Sequence, residues 1–497
     1  MAEALCLGID LGTSGVKVIA VDAAGTIRAA ANRTYPLMTP KPGWTEQDPD
    51  RWWAASLEAI REVAEKTDEK IVSIGLTGQM HGSVFLDTDK TVIRPALLWN
   101  DQRTADDCAA IEARLGREHL TKVTGNPALT GFQAPKMLWL RRSEPEAYAR
   151  LAHLLLPKDF LRLRLTGAFA TDCSDAAGTL LLDLRARDWS PDILEALAID
   201  RAWLPDVYEG PEVTGHLSDE AAGLTGLTAG LPVIAGGGDN AAAAVGCGVI
   251  RAGTGFSSLG TSGVTFVHSD EAVIDPTGAL HAFCHAVPGA YHLMGVVLSA
   301  AGSLRWYAEN ISDGAKSDAE LAEAASRIPA GCDGLTFLPY LAGERTPHMD
   351  PDARGAWVGL TLAHNRDHLV RSILEGVAFA MADSVDLMRD LKVEPETLFV
   401  LGGGARSGLW RQLVASSCNV PLQRMAADEG PAMGAAILAM VGAKLFSSLD
   451  EAVDSMVRTD GDPDSPEPGL LSELAAPRER FRKLYPALRS VRASTKS

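Results

Sequence analysis

No Gly-Lys dipeptide occurs anywhere in the 497 residues. A phosphate loop of the Gly-x-x-x-x-Gly-Lys-Ser/Thr kind is therefore excluded, and a nucleotide would need another cradle. Cysteine is scarce: seven residues, scattered, with no Cys-x-x-Cys. Neither a disulfide framework nor a zinc ribbon fits, and a reduced, cytoplasmic setting is expected. His281-Ala282-Phe283-Cys284-His285 comes closest to a metal motif. No second ligand cluster accompanies it, so ordinary packing is expected there. Basic residues are in deficit, 46 Lys and Arg against 64 Asp and Glu, for a net charge of −18. That argues against nucleic acid and against an anionic membrane as partners. It also repels a nucleotide triphosphate, so any ATP site must work through local amides and a metal ion. No apolar run approaches the length of a membrane span. The chain enters a strand almost at once, with no basic region or cleavage site before it.

What is present is a duplication. The hexapeptide Leu11-Gly12-Thr13-Ser14-Gly15-Val16 returns, letter for letter, as Leu259-Gly260-Thr261-Ser262-Gly263-Val264, about half a chain later. Each copy joins two strand-like runs, with Val16-Lys17-Val18-Ile19 after the first and Val264-Thr265-Phe266-Val267 after the second. Two glycines let such a turn take positive φ and let backbone approach a ligand closely. Hydroxyls and backbone N–H groups then share one small concavity, which suits a phosphate. A lone Gly-Thr-Ser-Gly is a common turn that binds nothing. Six residues repeated in matching strand–turn–strand settings are another matter. They point to two related halves gripping a polyphosphate from both sides, and we place the halves at 1–245 and 246–497.

The rest of the chain reads as α/β. Asp48 and Pro49 form a helix start, followed by Trp52, Trp53, Leu57, Ile60 and Val63 on one face. Asn365 to Leu391 is a long amphipathic helix. Pro431 to Met440 is a core helix. The Pro- and Asp-rich tail from Asp460 to Pro468 is expected to be an exposed connection, and Glu473 to Arg492 a terminal helix whose Arg and Lys face solvent.

Three buried strands run into glycines and then into a polar residue, the place where α/β sheets hold ligands. Asp10 stands beside the first turn. A carboxylate there repels phosphate unless Mg²⁺ lies between them, usually through water; otherwise it caps its own turn. Asp239 follows Gly236-Gly237-Gly238, at what reads as a helix N-terminus, which tends to lower its pKa. It is either a helix cap or the carboxylate that positions an attacking hydroxyl. In phosphoryl transfer that proton leaves late, so position matters more than basicity. Asn240 beside it can donate to and accept from a polyol. Gly402-Gly403-Gly404 opens a strand–helix corner wide enough for adenine and ribose, a weak signal alone. His81, between Gly78 and Gly82, can be presented at a cleft or simply packed. Met80 and Trp99 offer apolar walls to the carbon faces of a sugar. A pocket for a sugar acid would be expected to hold Arg or Lys.

These motifs resemble the FGGY carbohydrate kinases of the actin/sugar-kinase/heat-shock superfamily. The likeness rests on Gly8-Ile9-Asp10-Leu11-Gly12-Thr13-Ser14, the repeated turn, Gly236-Gly237-Gly238-Asp239-Asn240 and Gly402-Gly403-Gly404-Ala405-Arg406-Ser407, with 78–82, 98–101, 156–159, 174–179 and 343–348 also matching. It spans nearly the whole chain. The resemblance implies an actin-like, ribonuclease H-like duplicated two-domain fold with a cleft between the halves. It implies MgATP and a small sugar or polyol as substrates, D-xylulose at its 5-hydroxyl first, then ribulose, glycerol or gluconate. It makes Asp239 the proton acceptor and Asp10 the residue organising Mg²⁺, with both carboxylates facing the metal. Met80, His81, Trp99 and Asn240 become the sugar pocket. Thr13 and Ser14 in one turn, and Gly260 and Thr261 in the other, take the phosphates. Gly403, Gly404 and Ser407 form the nucleoside corner. A monomer or homodimer is expected. A non-metabolic actin-like ATPase, a chaperone or filament subunit, would share the turns but lack the sugar pocket.

Overall fold

Residues 4–312, 317–426 and 430–495 are described by the computed structural model. Leu5–Leu11 is buried at six of its seven positions, as a strand covered on both faces must be. It pairs antiparallel with Gly15–Val21 through the first Gly-Thr-Ser-Gly turn and parallel with Ile71–Gly78. The sheet runs Ile27–Thr34, Gly15–Val21, Leu5–Leu11, Ile71–Gly78, Pro232–Ile234, Val213–His216. Its outermost strand, Ile27–Thr34, alternates buried and exposed positions, as a one-sided strand does.

The second sheet repeats this plan: Tyr291–Val297, Gly263–Ser269, Thr254–Leu259, Thr397–Leu401, Leu422–Met425, Thr459–Asp464, with His281–Cys284 added beyond Tyr291–Val297. Strand senses match pair for pair: antiparallel through the hairpin, parallel for the next two pairs and antiparallel at the last. The duplicated turn therefore marks a duplicated sheet, the arrangement the actin-like expectation requires. Equivalent parallel strands end in Gln79-Met80-His81 in the first half and in Gly402-Gly403-Gly404 in the second.

Two helices cross between the halves. Asp239–Gly246 packs on Gly430–Gly442, which in turn lies on the first sheet. Their closeness depends on glycine. A side-chain carbon built at Gly434 would fall 1.7 Å from the Ala242 carbonyl oxygen, and one at Gly246 would fall 2.1 Å from that of Gly430. Gly8 and Gly75 of the first sheet meet Ala432 and Ala435 of the same helix in the same way, each at 1.9 Å.

The expected helix start at Asp48 and Pro49 is present; the Asp48 side chain accepts from the Asp50 N–H, and Trp52, Ile60 and Val63 are buried. The long helix is Arg366–Asp390, capped by Asn365. Two expectations need correction. Thr459–Asp464 is exposed, yet it is a strand paired antiparallel with Leu422–Met425. It forms the sheet edge, where a proline is tolerated. The terminal helix starts earlier, at Pro468, and its basic face is not merely solvated. Arg478 reaches Asp383 at 3.0 Å and Asp386 at 2.8 Å, and Arg482 joins the same two carboxylates.

Candidate active site

The loop after Ile71–Gly78 places His81 in the left-handed region, at φ +67°, a backbone state worth explaining in a non-glycine residue. Three contacts hold it there. His81 Nδ1 donates to the Gly178 carbonyl at 2.6 Å. The buried Lys136 ammonium donates to the carbonyls of His81 (2.8 Å) and Gly131 (2.6 Å). The imidazole leans on Phe132, with ring centroids 4.8 Å apart. Burial, with Lys136 and Arg345 nearby, pushes His81 down to about 3. The ring is neutral, and with its proton on Nδ1 the remaining nitrogen can accept from a hydroxyl.

His81 opens into a cavity of about 350 Å³, a size suited to a small polar ligand. Met80, Trp99, Phe132, Asp239 and Asn240 line it from the first half; Gly260, Thr261, Ser262, Met294 and Arg345 line it from the second. Asp239 is the first residue of Asp239–Gly246. Its Oδ1 accepts from the Asn240 backbone N–H (2.7 Å) and side-chain amide (2.9 Å). Those bonds and the helix N-terminus favour the charged form, but burial outweighs them and pushes the carboxyl up to about 6. The expected lowering is thus reversed, because desolvation of the whole group exceeds a helix-end effect typically below 1 kcal/mol.

The two turns are placed differently. The second enters the cavity directly. Its Gly260 and Thr261 carbonyls accept from the N–H groups of Ala301 (2.8 Å) and Ala300 (2.9 Å), which fixes the loop from behind. The first reaches the cavity through Trp99, whose indole N–H donates to Thr13 Oγ1 at 2.9 Å. That hydroxyl donates onward to Gln79 Oε1 at 3.1 Å, and Gln47 donates to the Thr13 carbonyl at 2.7 Å. The Thr13 hydroxyl is therefore tied to the cavity wall, while Ser14 is exposed. Asp10 is half-buried near the end of its strand, opposite Lys17. Burial and the Asp10 charge raise the phenol of Tyr35, whose hydroxyl donates to the Gly12 carbonyl.

At the glycine corner, a side-chain carbon on Gly402 would fall 2.9 Å from the Leu259 carbonyl carbon, and one on Gly404 2.8 Å from Leu259 Cβ. Two of the three glycines thus let the corner pack against the second turn. Only Gly403 faces open space. Ser407 caps Gly408–Cys418 by accepting from the Trp410 N–H. A depression of about 330 Å³ beside the corner is lined by Leu401, Gly402, Ala405, Arg406 and Arg424 among others, and not by Gly403, Gly404 or Ser407.

Sequence reasoning missed Phe132, Met294 and Arg345. Only Arg345 carried a signal, since 343–348 was singled out without a role. Its loop is pinned: Glu344 Oε1 accepts from the N–H groups of Leu298 (3.0 Å) and Arg345 (2.8 Å), and Thr346 Oγ1 donates to the Ala279 carbonyl at 2.8 Å. Among the described residues no group of three or more His, Cys, Asp or Glu side chains is arranged to hold a metal ion.

Comparison with known proteins identifies the family and the fold. Residues 5–246 match the N-terminal domain of the FGGY family of carbohydrate kinases, and residues 255–443 match its C-terminal domain. The chain belongs to the FGGY family of carbohydrate kinases. It is 44% identical to the xylulose kinase of Escherichia coli (strain K12), over 97% of this chain and 99% of that protein. The xylulose kinase of Bacillus subtilis (strain 168) is 40% identical over 91% of each. The solved structure of xylulose kinase from Rhodospirillum rubrum superposes with a TM-score of 0.92 at 32% identity, covering 98% of this chain and 99% of that one.

Proposed function

We propose that this chain transfers the γ-phosphoryl group of ATP to the 5-hydroxyl of D-xylulose. The observation that carries the reading is one cavity holding a half-buried carboxyl, a neutral imidazole and a Gly-Thr-Ser-Gly turn, in a chain 44% identical to a xylulose kinase over nearly its whole length. Met80, Trp99 and Phe132 wall the carbon faces of the sugar. His81 and Asn240 pair with its hydroxyls. Asp239 receives the proton of the 5-hydroxyl as the oxygen meets phosphorus, so that the sugar oxygen gains the P–O bond and ADP leaves with the electrons of the broken one. The Gly260-Thr261-Ser262 turn stands at the phosphates on one side and the Thr13-Ser14 turn on the other. Adenosine lies at the 402–407 corner. Rotation of the halves toward each other excludes water and aligns the hydroxyl.

Asp10 and Asp239 are the carboxylates we assign to Mg²⁺. Asp239 lines the cavity and Asp10 does not, so the pair suits only an ion that arrives on the nucleotide and keeps most of its water. When bound, Mg²⁺ neutralises charge on the phosphate oxygens. Seven free, buried thiols suit a reducing compartment such as the cytoplasm.

One observation favours a second substrate. Arg345 is among the residues lining the cavity, and a carboxylate-bearing sugar such as gluconate would require a cation there. A coupled assay of ADP release decides between them, run with D-xylulose, D-ribulose, L-ribulose, glycerol and gluconate. D-Xylulose is expected to give the highest kcat/KM by at least about tenfold. Preference for gluconate would replace the sugar assignment, and ADP release indifferent to every sugar would leave an actin-like ATPase.

A further inference from the structure

Behind the Asp239 loop lies a set of charged side chains that touches no part of the cavity. Lys158 Nζ pairs with Asp159 (2.7 Å), Asp172 (2.8 Å) and Asp175 (3.2 Å), and Arg162 approaches Asp159 at 3.3 Å. All five side chains are wholly removed from solvent or nearly so. Burial raises the Asp175 carboxyl well above the ordinary range. Removing such ions from water is expensive, and apolar residues of similar volume often serve stability as well or better. Stability alone therefore does not explain the cluster.

Its outward bonds do. Arg162 donates to the carbonyls of Ile234 (2.6 Å) and Ala235 (2.5 Å), on the strand that leads into the Asp239 loop. Asp172 caps the short helix Cys173–Ala177 and accepts from both the N–H (2.7 Å) and the hydroxyl of Ser174. Because the Ser174 proton goes to Asp172, its lone pairs are left for a donor, and the Gly238 N–H supplies one at 3.0 Å. Gly238 immediately precedes Asp239. The residue after the same helical turn, Gly178, offers the carbonyl that orients His81. A side-chain carbon on Gly178 would fall 2.7 Å from the His81 ring, so the two segments are in direct contact.

We propose that Ser174 is a positioning residue for phosphoryl transfer: anchored by the buried pair of Lys158 and Asp172, its hydroxyl grips the Gly238 amide and fixes Asp239, while the other end of the same helical turn fixes His81. The proposal rests on the assignment of Asp239 as proton acceptor. Small displacements of a reacting group cost turnover more than binding. Ser174→Ala should lower kcat about tenfold or more, with KM for D-xylulose changed less than about threefold. Ser174→Thr, which keeps the hydroxyl, should recover most of kcat. Where Ser174→Ala gives too little folded protein, Ser174→Cys offers nearly the same volume with a poor acceptor and should show the same loss. In an Asp239→Asn background, Ser174→Ala should change the residual turnover by less than about twofold, because the group it positions is gone. Wild-type kcat in Ser174→Ala, or the same fold loss in both backgrounds, overturns the proposal while leaving Asp239 as acceptor. Wild-type turnover in Asp239→Asn alone removes the acceptor itself, which is a separate failure.

Discussion

At the scale of single residues, Asp239 shows how a functional group is bought with folding energy. Burial raises its carboxyl from 3.8 to about 6, which leaves it ionised at neutral pH but a better proton acceptor than an exposed aspartate. Below pH 6 the acceptor is filled. We expect kcat/KM for the sugar to fall about tenfold per unit there, read from initial rates in buffers of constant ionic strength. The same shift has a sign for stability. A carboxyl whose folded pKa is raised contributes stability below its unfolded value, near 3.8, and that contribution is lost as pH rises through about 6. Asp239→Asn should therefore unfold at a higher temperature than wild type at pH 8, and at the same temperature at pH 4, while turning over about 10²-fold more slowly. A variant both slower and less stable at pH 8 would contradict the buried-charge account. His81 obeys the opposite arithmetic. Its pKa is depressed to about 3, so its contribution is complete above about 6.5 and declines as the solution is acidified toward 3.

Between elements, glycine decides how closely the halves meet. Gly434 lies inside Gly430–Gly442, where alanine has the better helix propensity by about 1 kcal/mol. Contact overrules propensity, because the new carbon would sit 1.7 Å from the Ala242 oxygen. Backbone cannot yield as a flexible side chain does, so Gly434→Ala should destabilise by about 1–3 kcal/mol or more, measured by urea unfolding. Gly223 is the control. It lies in Asp219–Thr225 with nothing within 4 Å of an added carbon, so Gly223→Ala should stabilise by up to about 1 kcal/mol. Equal effects at the two sites would mean that the crossing is not tightly packed. The sequence did not reveal the difference, since the Gly434 stretch read as a core helix with no sign of what crosses it. It did reveal the two hairpins, because a repeated turn between strand-like runs is a local pattern. It did not reveal that the Thr13 hydroxyl is bonded to Trp99, 86 residues along the chain, nor that Thr459–Asp464 pairs as an edge strand. Both depend on partners that local periodicity does not encode.

Across the whole molecule, the halves that the repeat separates so cleanly in sequence share one interior. Phe85, Phe132 and Leu182 belong to the same apolar cluster as Phe283, Leu293 and Phe379, and the crossing helices join the first sheet to a second cluster that includes Ile437 and Val453. The cavity is divided in the same way, which is why Arg345 was illegible beside His81: it arrives from the other half. Domains with separate cores and a thin polar interface unfold separately, whereas a continuous core makes them cooperative. We therefore expect one calorimetric transition for the intact chain, with calorimetric and van't Hoff enthalpies in agreement. We also expect residues 1–245, expressed alone, not to fold, because their apolar faces would be left open to water. The proposed sugar contacts all lie in the first half, yet with a shared core D-xylulose at about 100 times its Kd should shift that single transition upward as a unit, by about 2.7 kcal/mol of added stability. Two transitions, with only the first responding to sugar, would mean that the shared core does not hold and that the halves communicate through the ligand alone.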